Sequence, residues 1–198
     1  MRYFFSRIML VVCMLLPIIA FSQIRYGVKA SFNYTNVTKV HWDSEERKAF
    51  GVGVFAQIPL NSNNQFFFQP ELVYSLQGET DGGEREGTGK VDYFQNYLNI
   101  PLMVRAYFSE EENEFFAELG PQLGFLVHQK NKELDETHYG KPATFDLSAG
   151  VGVGFSYQRK YEFFARYNYG LVDSYKGYNA TGANRTSLAT LTLAYVFN

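Results

Sequence analysis

Thr144-Phe-Asp-Leu-Ser-Ala-Gly-Val-Gly-Val-Gly-Phe-Ser-Tyr157, followed across Gln158-Arg-Lys160 by Tyr161-Glu-Phe-Phe-Ala-Arg-Tyr-Asn-Tyr-Gly-Leu-Val172, is the stretch that decides the fold. One alternate set reads Phe145, Leu147, Ala149, Val151, Val153, Phe155, Tyr157, and resumes as Tyr161, Phe163, Ala165, Tyr167, Tyr169, Leu171. The set between contains Asp146, Ser148, Gly150, Gly152, Gly154, Ser156, then Glu162, Arg166, Asn168 and Gly170. A strand turns successive side chains to opposite faces, so this period of two marks paired strands with one apolar and one polar face.

The same alternation recurs in six further runs, at 25–35, 50–59, 66–76, 93–108, 115–128 and 187–197. Taking every second residue over 26–34, 50–58, 66–76, 94–108, 115–127, 145–157, 161–171 and 189–197 selects 49 positions, and none is charged. At the chain's 19% charged content about nine charges would fall there by chance. Aromatic rings gather toward the run ends, as Phe94 and Phe108 or Tyr26 and Tyr34 do. A lipid-facing band bordered by aromatic girdles accounts for both features, because amphipathic rings favour the headgroup level. A soluble sandwich would instead hide this face inside.

Composition sets the outer bounds. The chain has 198 residues, with 18 Lys and Arg against 20 Asp and Glu. That balance gives no basic excess for nucleic acid, and 46% hydrophobic content excludes a disordered chain. A single cysteine excludes a disulfide scaffold and a cysteine metal cluster. Aromatic residues reach 18%. At the start, Arg2 and Arg7 precede an apolar run over 8–21, too short for a membrane helix and fitting a secretory signal. Ala20 and Ser22 place small residues before a cleavage at Gln23, so the expected domains are a signal peptide, 1–22, and a barrel, 23–198. Cys13 leaves with the signal; Val12 before it is not the small residue a lipoprotein site needs.

Connections alternate in length. Short ones fall at 61–65, 109–114 and 158–160, and long ones at 36–49, 77–92, 129–143 and 173–186. Outer-membrane barrels combine an even strand number with short periplasmic turns and long outer loops. The expected fold is therefore all-β, an eight-stranded antiparallel up-and-down transmembrane β-barrel with both termini periplasmic. Its inward face reads as polar and small, and an eight-stranded barrel is just wide enough for side chains to fill it. Lys29, Glu71, Arg105, Glu118, Glu162 and Arg166 all point inward near the short-turn end, three cations and three carboxylates able to neutralise one another. Centring the hairpin on the 109–114 turn sets Arg105 opposite Glu118. These six form the expected lumen charge network.

Tyr97-Leu-Asn-Ile-Pro-Leu-Met-Val-Arg-Ala-Tyr-Phe108 and Phe115-Phe-Ala-Glu-Leu-Gly-Pro-Gln-Leu-Gly124 resemble segments of the PorT-type outer-membrane β-barrel family. Phe163-Phe-Ala-Arg-Tyr-Asn-Tyr-Gly-Leu171 and Leu191-Thr-Leu-Ala-Tyr-Val-Phe197 are similar too, so the resemblance spans nearly all of 23–198. It implies a small barrel of the OmpX-like size class. That family is functionally mixed, with some members linked to protein secretion, and it offers no catalytic residues to carry over.

Chemical motifs are sparse. Gly150-Val-Gly-Val-Gly154 is strand alternation, not a nucleotide-binding turn, and Gly87-Thr-Gly-Lys90 lacks the remainder of a phosphate loop. His128 beside Glu133 or Asp135 at the outer rim is the one conceivable hydrolytic arrangement. His128, Asp135, Glu136 and His138 could ligate a metal by composition alone; a solvated loop is the plainer reading. No enzyme activity, metal or cofactor is expected. The leading expectation is a structural or interaction barrel, monomeric and surrounded by outer-membrane lipid, that meets an envelope or extracellular protein. Trp42, Tyr139, Tyr175 and Tyr178 are the expected loop contacts, since such rings dominate interfaces. A narrow pore, a lipid-modifying enzyme and a soluble carrier are the alternatives; no nucleic acid is expected as a partner.

Overall fold

The computed structural model describes residues 24–38, 44–81, 91–129, 141–173, 175–176 and 185–197. In chain order these form β1 (Arg25–Thr38), β2 (Ser44–Pro59), β3 (Phe66–Asp81), β4 (Val91–Tyr107), β5 (Glu114–Gln129), β6 (Lys141–Pro142), β7 (Phe145–Tyr157), β8 (Tyr161–Gly170), β9 (Tyr175–Lys176) and β10 (Arg185–Phe197). Eight close into a barrel in the order β1-β10-β8-β7-β5-β4-β3-β2. β6 and β9 form a separate two-stranded ladder. Every ladder is antiparallel, and β1 seals against β10 from Tyr26↔Phe197 to Thr38↔Arg185. Such closure leaves no unpaired sheet edge.

The expected eight-stranded up-and-down barrel is thus the observed fold. Several boundaries needed correction at the long-loop end. Residues 36–38, 44–49, 77–81, 91–92 and 185–186, read as loop, belong to strands. The ladders continue there through pairs such as Ser44↔Asp81 and Glu45↔Thr80, which carry polar side chains. Beyond an apolar band both faces of a sheet can be polar, so alternation stops while backbone pairing does not. β6 and β9 likewise add pairing inside two of the expected loops. β8 also stops at this loop end, at Gly170, two residues earlier than its alternation; at the turn end β4 stops at Tyr107 and β5 begins at Glu114.

Short connections close that turn end. The Asn61 side chain accepts the Gln65 and Phe66 amides, both at 3.1 Å. Gln158 and Arg159 both take positive φ, 55° and 51°. L-residues adopt that region at a cost of about 1–2 kcal/mol each. Bonds from the neighbouring turn hold them: Gln158 N–H to Asn113 Oδ1 at 2.9 Å and Arg159 N–H to the Glu112 carbonyl at 2.9 Å.

The two faces separate as the alternation requires. None of the alternate apolar positions is buried by the chain itself, and Leu119 and Leu193 are each 65% exposed. The inward face is buried, but its reading as polar and small is corrected at the turn end. Phe55, Phe67, Tyr107, Phe116, Phe164, Ala194 and Val196 pack there as one apolar cluster. Phe67, Phe116 and Phe164 each adjoin an outward aromatic, in Phe66-Phe67-Phe68, Phe115-Phe116 and Phe163-Phe164. A count of one face absorbs such runs and overlooks the ring that turns inward.

Candidate functional site: a closed polar ring in the lumen

Alternation aims Lys29 from β1, Glu71 from β3, Arg105 from β4, Glu118 from β5, and Glu162 and Arg166 from β8 into the barrel. The β4–β5 register sets Arg105 directly opposite Glu118, as the turn arithmetic anticipates. Arg105 Nε and Nη2 donate to Glu118 Oε2 at 3.1 and 2.6 Å, and Nη1 donates to Glu162 Oε2 at 2.5 Å. Arg166 Nε donates to Glu118 Oε1 at 2.6 Å, and its two terminal nitrogens reach both Glu71 oxygens at 3.0 and 2.7 Å. Lys29 Nζ completes the series at 2.5 Å from Glu71 Oε2. All six predicted charges meet, alternating as Lys29–Glu71–Arg166–Glu118–Arg105–Glu162.

Two glutamines close the series into a ring at Glu71, with Lys29 branching from it. Gln57 Nε2 donates to Glu162 Oε1 at 3.0 Å and to Gln69 Oε1 at 3.0 Å, and Gln69 Nε2 donates to Glu71 Oε1 at 2.8 Å. The Tyr107 hydroxyl also donates to Glu162 Oε1 at 2.6 Å. Arg105, Glu118 and Glu162 are 0–1% exposed. Charges removed from water to that degree persist only when paired and hydrogen-bonded, which the alternation provides. Gln57, Gln69 and Tyr107 were not among the predicted network residues. Gln57 and Gln69 do lie on the polar face; their signal was inward parity close to the charged positions. Tyr107 gave no such signal, because its ring reads as apolar.

An aromatic cluster packs against the ring: Phe67, Tyr107 and Phe116 lie on the turn side of Glu71, Arg105 and Glu118 along their strands, while Phe164 lies between Glu162 and Arg166 on β8. Arg105 sits 4.0 Å from the Phe116 centroid and 5.1 Å from that of Phe164. Phe164 is also 5.3 Å from Lys29 Nζ and 5.5 Å from the Arg166 guanidinium, so one ring serves three cations. Phe67, Tyr107, Phe116 and Phe164 join edge-on or tilted, with centroids 5.4–5.8 Å apart. Glycine makes room for them. A Cβ on Gly154 would stand 2.4 Å from Phe164 Cβ and 2.6 Å from Phe116 Cζ.

Arg159 then ties the turns together against this cluster. Its guanidinium lies 4.0 Å from the Tyr107 ring and pairs with Glu114. It also donates to the carbonyls of Asn64 at 2.8 Å, Glu111 at 3.2 Å and Ser109 at 3.4 Å. Tie, aromatic cluster and charge ring all pack into the turn-end half of the lumen. Toward the loop end Lys29 and Arg166 give way to Ser31, Asn33, Ser75, Asn99, Gln122, Asn168, Thr190 and Thr192, with the buried Asp146 beyond them.

Other expected residues fall elsewhere. His128 is exposed near the loop end of β5, while Glu133, Asp135, Glu136 and His138 lie outside the described residues, as does the segment 1–22 expected as a signal peptide. Trp42, Tyr139 and Tyr178 also lie outside them; Tyr175 belongs to β9, opposite Pro142. Among the described residues no group of three metal-ligating side chains converges.

Comparison with known proteins agrees with this architecture. Residues 19–176 match the model of the outer membrane protein beta-barrel domain family. No curated protein matches the chain. Among solved structures, the outer membrane enzyme PagL has a TM-score of 0.52 at 10% identity, over 85% of this chain and 98% of PagL. The attachment invasion locus protein Ail of Yersinia pestis, crystallised with the heparin analogue sucrose octasulfate, has a TM-score of 0.49 at 12% identity, over 89% and 99%. OprG of Pseudomonas aeruginosa has 0.42 at 12%, over 88% and 94%. At such identities the likeness concerns the fold alone.

Proposed function

We propose that this chain, which belongs to the outer membrane protein beta-barrel domain family, is a closed, non-conducting barrel that acts as a structural or interaction protein. The observation that carries this reading is the ring. Six paired charges and two glutamines occupy the lumen beside an aromatic cluster, a filling that supports a non-conducting barrel. A lumen so filled directs function to the barrel's two ends.

In this reading the short turns and both termini face the periplasm, the long loops face outward, and residues 1–22 are removed as a signal peptide. The segments 97–108, 115–124, 163–171 and 191–197 favour PorT-type relatives of the OmpX-like size class within the family. The protein is a non-catalytic monomer without cofactor, and an envelope or extracellular protein binds its loops or its short-turn rim.

Cross-linking in intact envelopes, followed by affinity capture, tests this. Wild type is expected to capture a partner. A variant with its long loops shortened, or one with the 109–114 turn replaced, is expected to lose that partner while keeping its heat-modifiable gel mobility. Equal capture by both variants would refute an end-mediated role. Turnover of outer-membrane lipid by the purified barrel would show an enzyme instead.

A further inference from the structure

The apolar outer face is not evenly filled. On the side formed by β1, β10, β8 and β7, Ala165 and Ala189 floor a groove walled by Phe32, Tyr34, Val151, Val153, Tyr167 and Leu191. Register explains the recess. Ala189 lies between Tyr34 and Tyr167, and Ala165 between Leu191 and Val153, so each alanine is flanked across the sheet by large side chains. A second, distinct recess between Val28 and Phe163 lies nearer the turn end.

Cations stand beyond its loop end. Lys48 is exposed and is the register partner of Tyr34, one wall of the groove. Arg185 Nη1 donates to the Tyr169 hydroxyl at 3.2 Å, with its guanidinium 5.5 Å from that ring. Both residues continue the outward parity of their strands past the uncharged band. Asp173, exposed beyond the end of β8, bounds this basic stretch on its other side.

We propose that this groove is a lipid site, holding one acyl chain of an anionic membrane lipid whose headgroup phosphate meets Arg185 beyond Ala189 on β10, with Lys48 on β2 adding positive charge to the same side. The chemistry is divided as an amphiphile requires. Methylene groups replace water along a slot floored by methyl groups, while the phosphate meets positive charge where the apolar band ends. Tyrosine hydroxyls of Tyr34, Tyr167 and Tyr169 border the transition, the position amphipathic rings prefer at an interface. A headgroup bound only by charge would need no groove, and a chain bound only by the groove would need no cations; both occur on one side. The inference rests on the membrane barrel alone and stands whether or not the loops bind a protein.

Native mass spectrometry of the folded full chain in detergent, with phosphatidylglycerol and phosphatidylcholine of identical acyl chains, tests it. Wild type is expected to retain phosphatidylglycerol about tenfold better, a factor equivalent to roughly one charge-assisted hydrogen bond. Lys48→Ala with Arg185→Ala should abolish that preference. Ala165→Leu with Ala189→Leu should fill the slot and lower retention of both lipids. Ala56→Leu, in a separate recess beside Val28 and Leu72, should leave retention unchanged. Millimolar inorganic phosphate should not displace the lipid. Each variant is checked for heat-modifiable mobility, and Ala189→Val alone serves if the double leucine variant does not fold. Equal retention of the two lipids by wild type, or a preference that survives loss of both cations, would overturn the proposal. So would displacement by phosphate, or a dimer abolished by Ala165→Leu, which would assign the face to a free anion or to a second copy.

Discussion

Arg105→Met is the perturbation for which the lumen gives the most definite magnitude. The guanidinium is fully buried and supplies three hydrogen bonds, two to Glu118 and one to Glu162. Its loss affects those carboxylates unequally. Glu118 keeps Arg166 at 2.6 Å, whereas Glu162 keeps the neutral Tyr107 hydroxyl and the Gln57 amide in the ring. An uncompensated buried charge costs about 3–5 kcal/mol, and that is the expected destabilisation. Glu162→Gln should relieve it by removing the stranded charge. The double variant should therefore cost about 1–3 kcal/mol less than the sum of the singles. Lys29→Met is the internal comparison: Glu71 keeps both Arg166 bonds, so the cost should stay near that of one charged hydrogen bond, about 1.5–3 kcal/mol. Urea unfolding in phospholipid vesicles, scored by the heat-modifiable gel shift, measures all four. Additive effects of Arg105→Met and Glu162→Gln, within about 0.5 kcal/mol, would refute the coupled ring.

Further outcomes follow from the other layers. Leu119→Arg places a charge on the outer face, where Leu119 is 65% exposed, and should destabilise the barrel by about 2–4 kcal/mol in vesicles if the site is near mid-bilayer; unchanged urea stability would contradict the lipid-facing assignment. Gly154→Ala drives a methyl into Phe164 and Phe116 and should cost about 1–3 kcal/mol, read from the same urea midpoints. Arg159→Ala releases the Asn64, Glu111 and Ser109 carbonyls and should speed hydrogen exchange in the three turns, leaving exchange in the β4–β5 ladder unchanged.

How much of this was legible depends on which force writes the pattern. Lipid tolerates no charge, so alternation such as Phe145 to Tyr157 carries strand number and facing, and the centre of the 109–114 turn carries the Arg105–Glu118 register. Strand ends escaped because polar pairs such as Glu46↔Glu79 leave the backbone ladder intact while erasing the alternation. The aromatic cluster escaped for a different reason. Phe67, Phe116 and Phe164 adjoin outward rings, and hydropathy alone does not separate a ring facing lipid from one facing the lumen. Residues 29, 71, 105, 118, 162 and 166 could be placed inside, but their order around the ring needed three-dimensional distances. So did the closure through Gln57 and Gln69, which connects β2 and β3 to β8.

Single-channel recording of the purified barrel in planar bilayers tests the central claim most directly. A lumen closed by the charge ring, the aromatic cluster and the Arg159 tie predicts a flat baseline at every applied potential. Reproducible ohmic steps from wild-type protein would contradict it and show that an ion can pass where Arg105 and Glu162 meet.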